Sequence, residues 1–139
     1  MAITTRLMTP ADIPVVLDLW RSSEGVYLGA SDTVGQVTAY LAGNPGLSLV
    51  ALDGQVIVGA ILCGHDHRRG FLHHLAVAGA YRRQGVGRTL VDRAIEGLRR
   101  EGILRAHIVV YGDNLSGIAF WERLGWSLRD HLRIMTRDV

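Results

Sequence analysis

The chain contains no lysine, one cysteine, few aromatic residues (6%) and no apolar run long enough to cross a membrane. Each absence excludes something. Without lysine there is no nucleotide P-loop, whose last glycine is followed by lysine and then serine or threonine. A lone Cys63 cannot form an internal disulfide and, lying in an apolar run, reads as a small packed hydrophobe, so a reducing compartment is expected. The first residues, MAITTRLMTPAD, lack a stretch suited to a signal peptide or membrane span, which predicts a cytoplasmic protein with no membrane partner. No repeat, low-complexity segment or linker interrupts the 139 residues, so residues 1–139 are expected to form a single domain around one core.

All fifteen basic residues are arginines, spread from Arg6 to Arg137, and the formal charge is only +2. A nucleic-acid binder would interleave aromatics with its arginines; the richest arginine stretch, Arg82 to Arg100, has none, which argues against a nucleic-acid partner. The local cluster Arg82, Arg83 and Arg88 points to a small anionic ligand instead.

That cluster sits in FLHHLAVAGAYRRQGVGRTLVDRAIEGLRR, residues 71–100. Phe71 to Val77 reads as a buried strand. After Arg82-Arg83-Gln84-Gly85-Val86-Gly87-Arg88, the apolar residues Val86, Leu90, Val91, Ala94, Ile95 and Leu98 recur at helical spacing. Amides at a helix start lack intrahelical partners and the helix dipole favours an anion there. Gly85 and Gly87, lacking Cβ atoms, let phosphates approach the main chain, so the stretch predicts a diphosphate cradle. The dinucleotide fingerprint would need a third glycine where Leu90 stands.

The pattern Arg82-x-x-Gly85-x-Gly87, preceded by Leu75-Ala76-Val77, resembles the coenzyme A loop of the GNAT family of N-acetyltransferases. A second segment is similar to the family's C-terminal one: Asn114, then Ala119-Phe120-Trp121 and Leu124-Gly125-Trp126. The resemblance spans roughly Gly59 to Trp126. It implies acetyl-CoA as co-substrate and an α/β (α+β) fold with a mixed, mostly antiparallel central sheet flanked by helices; no metal is expected, because His65-x-His67 with Asp66 has no further ligands in its loop. It also implies that the strands at 71–77 and 104–110 splay apart to take the pantetheine arm. The implied cofactor contacts are Leu75, Ala76, Val77, the loop Arg82, Arg83, Gln84, Gly85, Val86, Gly87 and Arg88, and then Asn114, Phe120 and Trp121.

Periodicity and turn residues give the remaining elements. They are a strand at Ile3 to Leu7, a helix capped at Thr9-Pro10, a helix at Thr33 to Ala42, and a hairpin of 47–52 with 55–63 across Asp53-Gly54. A strand at 104–110, a short helix at 116–124 and a terminal strand at Ser127 to Thr136 follow.

Amide formation needs a neutral amine, oxyanion donors and a route for the thiolate to leave. An alkylamine with a pKa near ~10 arrives mostly protonated, so a base is expected, and His73 is the candidate. Strict strand alternation would place His73 with Phe71 and Leu75, and His74 on the opposite face. Where the family carries a tyrosine acid this chain has Trp121, whose indole is no proton donor for a thiolate. Departure is then unassisted, or Tyr111 supplies the proton. Trp121 also leaves open a second reading, a GNAT-like acyl-CoA-binding or protein-interaction module with little activity. Glu24 and Tyr27 in the 22–32 loop, and Asp66 in the 64–70 loop, are candidate substrate contacts. The acceptor is expected to be a small-molecule or peptide amine, and the family resemblance also admits a homodimer.

Overall fold

A computed structural model describes residues 2–139. The chain divides into two compact units, 1–109 and 110–139.

The first unit is built on a five-stranded sheet in the order β1 (Ile3–Leu7), β2 (Leu49–Asp53), β3 (Val56–His65), β4 (Gly70–Val77) and β5 (Ala106–His107). The first four strands pair antiparallel, β2 and β3 through a two-residue turn in which Gly54 takes φ +60, and β5 joins β4 in parallel. The helices of this unit are α1 (Ile13–Arg21), α2 (Val34–Gly43) and α3 (Val86–Arg100). The expected architecture, a mixed and mostly antiparallel sheet flanked by helices, is the one present.

β3 is buried over most of its length, which explains why its sequence, VIVGAILC, reads as a continuous apolar run and not as an alternation. Ala60 and Leu62 face a cluster made by Ile13, Val16, Leu17 and Trp20 of α1 with Val37 of α2. Gly59 and Cys63 face the other way, towards Leu90 and Ala94 of α3. Burial pushes the Cys63 thiol up to about 12, so it is a packed hydrophobe and not a nucleophile at neutral pH. Truncating fully buried Trp20 to alanine should cost roughly 3–5 kcal/mol.

The start of α1 is tied by a carboxylate. Asp12 Oδ2 accepts from the Thr9 amide at 2.8 Å and from Arg6 Nη1 at 2.7 Å, while Oδ1 accepts from Arg6 Nη2 at 2.9 Å. The expected Thr9 hydroxyl cap is reversed, because Thr9 Oγ1 lies 3.1 Å from that same carboxylate. Pro10–Asp12 forms a single 3-10 turn before the α-helix proper.

The second unit holds α4 (Leu115–Arg123). Ser127 to Thr136 does not form the predicted terminal strand: it has no strand residues, and Leu132 N–H closes a turn on Arg129 C=O at 3.1 Å. A strand exists only by pairing, and within this unit nothing pairs with the segment. The predicted strand at 104–110 is likewise reduced to Ala106–His107.

Candidate active site

Two features of the first unit carry chemistry. The first is the start of α3. Gly85 caps the helix in the left-handed conformation, φ +80, and a Cβ built there would meet nothing within 4 Å. Only glycine adopts that backbone at little cost. Arg83 is also left-handed, at φ +62. Among the described residues, the amides of 84–88 have no main-chain acceptor; the first main-chain bond is Thr89 N–H to Gly85 C=O at 3.0 Å. Residues 82–85 of the turn are exposed, and amides without a main-chain acceptor at a helix start suit an anion such as a diphosphate. Arg82 Nε donates to Val77 C=O at 3.2 Å, joining this loop to the end of β4.

β4 leads from there towards the second feature. β5 pairs with β4 at Gly70 and Phe71, and from Leu72 to Val77 that edge of β4 has no strand beside it among the described residues. The family resemblance implies a divergence of these strands; the register shows their pairing limited to two positions. The other edge carries an irregularity: β3 advances two residues from Ala60 to Leu62 while β4 spans three from Ala76 to His73. The extra residue forms a bulge, with His74 left-handed at φ +53.

This bulge corrects the expected alternation. His73 and His74 do not sit on opposite faces. Their ring centroids are 6.5 Å apart, and both line one cleft of about 530 Å³ with Asp32, Gln36, Tyr40 and Leu62. The left-handed residue breaks the twofold period on which the alternation rests.

Within the cleft His73 stacks on Phe71 (6.1 Å, 4° between planes) and meets Tyr40 edge-on at 6.2 Å. Burial first, and then neighbouring His74, hold its pKa below the ordinary 6.5, against an opposing pull from Asp32. At neutral pH His73 is therefore an uncharged imidazole able to accept a proton. Burial likewise raises the Tyr40 hydroxyl, keeping it protonated. His74 Nε2 lies 2.9 Å from Asp32 Oδ1, and its ring sits 5.0 Å from that of Trp20. Asp32 Oδ2 accepts from the Gly29 amide at 2.9 Å. Asp32, Gln36 and Tyr40 were not among the residues sequence reasoning selected. Asp32 lies 42 positions from His74, and no local pattern marks it.

The other candidates fall elsewhere. Neither Glu24 nor Tyr27 lines the cleft, and Tyr27 is exposed. Asp66 Oδ1 accepts from the amides of Arg68 (2.9 Å) and Arg69 (2.7 Å), closing its own turn. His65 accepts from His67 N–H at Nδ1 (2.9 Å) and meets Glu101 Oε1 at Nε2 (2.7 Å), so both its nitrogens are engaged. Tyr111 and Asn114 belong to the second unit, where Asn114 Oδ1 caps α4 by accepting from Gly117 N–H at 3.0 Å. In that unit Trp121 packs edge-on between Phe120 (5.3 Å) and Trp126 (5.0 Å).

Residues 14–126 match the Acetyltransferase (GNAT) family. A curated acetyltransferase of Sodalis glossinidius is 28% identical over 134 residues, covering 96% of this chain and 94% of that protein. Among solved structures, Ard1 from Thermoplasma volcanium is 25% identical with a TM-score of 0.80, covering 90% of this chain and 82% of that one. The paiA N-acetyltransferase from Thermoplasma acidophilum, in complex with coenzyme A, is 20% identical with a TM-score of 0.82 over 94% and 92%. The chain belongs to the GNAT family of acetyltransferases, and its enzyme class is that of the acetyl-CoA-dependent N-acetyltransferases.

Proposed function

We propose that this protein moves the acetyl group of acetyl-CoA to a primary amine by direct attack within a ternary complex, with His73 as the base. The observation that carries the reading is the continuity of β4. One strand runs from the Arg82 contact of a turn whose amides have no main-chain acceptor among the described residues, along an edge with no neighbouring strand among them, to an uncharged imidazole in a cleft. The coenzyme A present in the Thermoplasma acidophilum neighbour supports the choice of co-substrate.

In this account the amides of 84–88 and the arginines around them hold the diphosphate, and the main chain of Leu75 to Val77 bonds the pantetheine arm. The amine nitrogen attacks the thioester carbonyl carbon, the C–S bond breaks, and amides near the bulge meet the charge that develops on oxygen. His73 takes the proton lost by the attacking nitrogen. Trp121 donates no proton, and a thiol with a pKa near ~8.5 leaves as thiolate without help. The acceptor is a small-molecule or peptide amine, not a nucleic acid. No described helix is long and apolar enough to cross a membrane, and we place the reaction in the cytoplasm.

Thiol release from acetyl-CoA, followed with a panel of alkylamines and peptides bearing a free N-terminus, tests this reading. Amine-dependent release is expected. Binding of acetyl-CoA without release from any amine would instead favour a noncatalytic acyl-CoA-binding module, the reading that Trp121 supports.

A further inference from the structure

We infer that Asp32 is a positioning residue that fixes the tautomer of His74, and that His74 Nδ1 takes the first proton from an acceptor amine that arrives as a cation. The inference rests on the amine-acetylation reading above.

The chemistry asks for two proton acceptors. An alkylammonium must lose one proton to become a nucleophile and a second as the amide forms. Of these two, the second passes to the thiolate after it has left, and the first goes to solvent. His73 serves the second event. Buried beside another imidazole, it is a poor place to hold positive charge.

His74 has what His73 lacks, a carboxylate within hydrogen-bond reach at 2.9 Å. A carboxylate only accepts, so the hydrogen in that bond belongs to Nε2, and in the neutral ring that the step requires Nδ1 carries the lone pair. Asp32 is itself held: Gly29 N–H occupies its other oxygen, and its side chain is only 14% exposed. The His74 ring is braced by Trp20, which is fully buried, and keeps 22% side-chain exposure. A left-handed histidine inside a strand is an uncommon and costly backbone, and the visible result of that cost is a ring placed beside His73 in the cleft. In the step proposed, an N–H bond of the ammonium breaks and its proton bonds to Nδ1. The imidazolium so formed shares its Nε2–H with Asp32 in a charge-assisted bond, and then releases the Nδ1 proton to solvent. The titratable groups facing His74 are Asp32 from the 30–32 turn, His73 from β4 itself and Tyr40 from α2; Trp20 of α1 does not titrate.

The test uses the full chain, acetyl-CoA and an alkylamine that the wild type turns over. His74→Gln puts an amide nitrogen near the Nε2 position, so the bond to Asp32 survives while the proton acceptor is gone. At pH 7 its kcat/KM for the alkylamine should fall about 100-fold, with acetyl-CoA affinity unchanged. The deficit should shrink as pH approaches the amine's own pKa near ~10, where the amine arrives neutral. Asp32→Asn should lower kcat more than it raises KM, and Asp32→Glu should recover part of the loss. Nitrogen-15 NMR of labelled wild type should show Nε2 of His74 protonated and Nδ1 bare. Wild-type kcat/KM at pH 7 in His74→Gln, or an Nδ1–H tautomer, overturns the inference. A wild type that binds acetyl-CoA but acetylates no amine overturns the enzyme reading and this inference with it; a result confined to the variants leaves the enzyme reading standing.

Discussion

The amides at the start of α3 and the cleft around His73 are joined by one strand, yet they are made in opposite ways. The first is contiguous, residues 82–88, and what it offers a ligand lies in the main chain: left-handed Gly85 and five amides with no main-chain acceptor among the described residues. The second is assembled from the 30–32 turn, α2, β3 and β4, and its chemistry lies in side chains. Backbone sites tolerate a change of side chain but not of φ or of local space, whereas side-chain sites show the reverse. The two regions should therefore fail separately when mutated.

The largest effect is expected at the backbone site. Gly85→Asp places a side chain in the open space beside the amides and sets a carboxylate against an incoming diphosphate. Aspartate tolerates the left-handed region better than most residues, so the fold should persist. Acetyl-CoA binding should weaken by at least roughly 100-fold, two like-charge contacts of about 1.4 kcal/mol each being enough, while circular dichroism stays unchanged. Loss of the fold would mean instead that Gly85 is a structural glycine.

His73→Ala should divide the regions from the other side. Turnover should fall about 100-fold, with the dissociation constant for acetyl-CoA unchanged in calorimetry. Because burial lowers the His73 pKa, the base form is retained as pH falls through neutrality. The acid limb of wild-type kcat/KM should lie below 6.5 and be absent from the variant. An unaltered pH profile would remove His73 from the mechanism.

Gly64→Ala sharpens the contrast without touching a reacting group. A Cβ at Gly64 would collide with the Tyr40 hydroxyl and with the Asn44 side chain, at 2.7 Å from its Cγ. Tyr40, a wall of the cleft, must then move. Thermal unfolding should show a loss of about 1–3 kcal/mol, and the amine KM should rise while acetyl-CoA affinity holds.

The smallest effect is expected away from both regions. Arg6 and the Thr9 amide hold the Asp12 carboxyl down to about 2. Its contribution to stability is complete above the unfolded value near 3.8 and is lost as pH falls towards 2. Asp12→Asn should cost about 1–2 kcal/mol at pH 7, Arg6 being partly exposed and screened. In urea titrations that difference should vanish near pH 2, with the dissociation constant and kcat measured at pH 7 unaffected.

The same contrast governs what could be read in advance. The turn into α3 was legible because Arg82, Gly85 and Gly87 fall within six residues at the start of an unmistakable amphipathic helix. β1, α2, α3 and the hairpin were legible for the same reason, each being specified by its own periodicity and turn residues. The cleft was only half legible. His73 stood out on an apolar strand, but the left-handed φ of His74 interrupts the period from which side-chain direction was inferred, and Asp32 reaches His74 only through tertiary folding. The segment Ser127 to Thr136 shows the limit from the other side: apolar residues suited to a strand do not make one without a partner.

The main-chain amides at the start of α3 are proposed to receive the diphosphate of acetyl-CoA. Adding acetyl-CoA to nitrogen-15-labelled protein and following amide resonances tests it most directly. The account predicts that the largest shifts fall on residues 84–88, with smaller ones along Leu75 to Val77. Saturable binding that leaves the amides of Gly85 and Gly87 unmoved would contradict it.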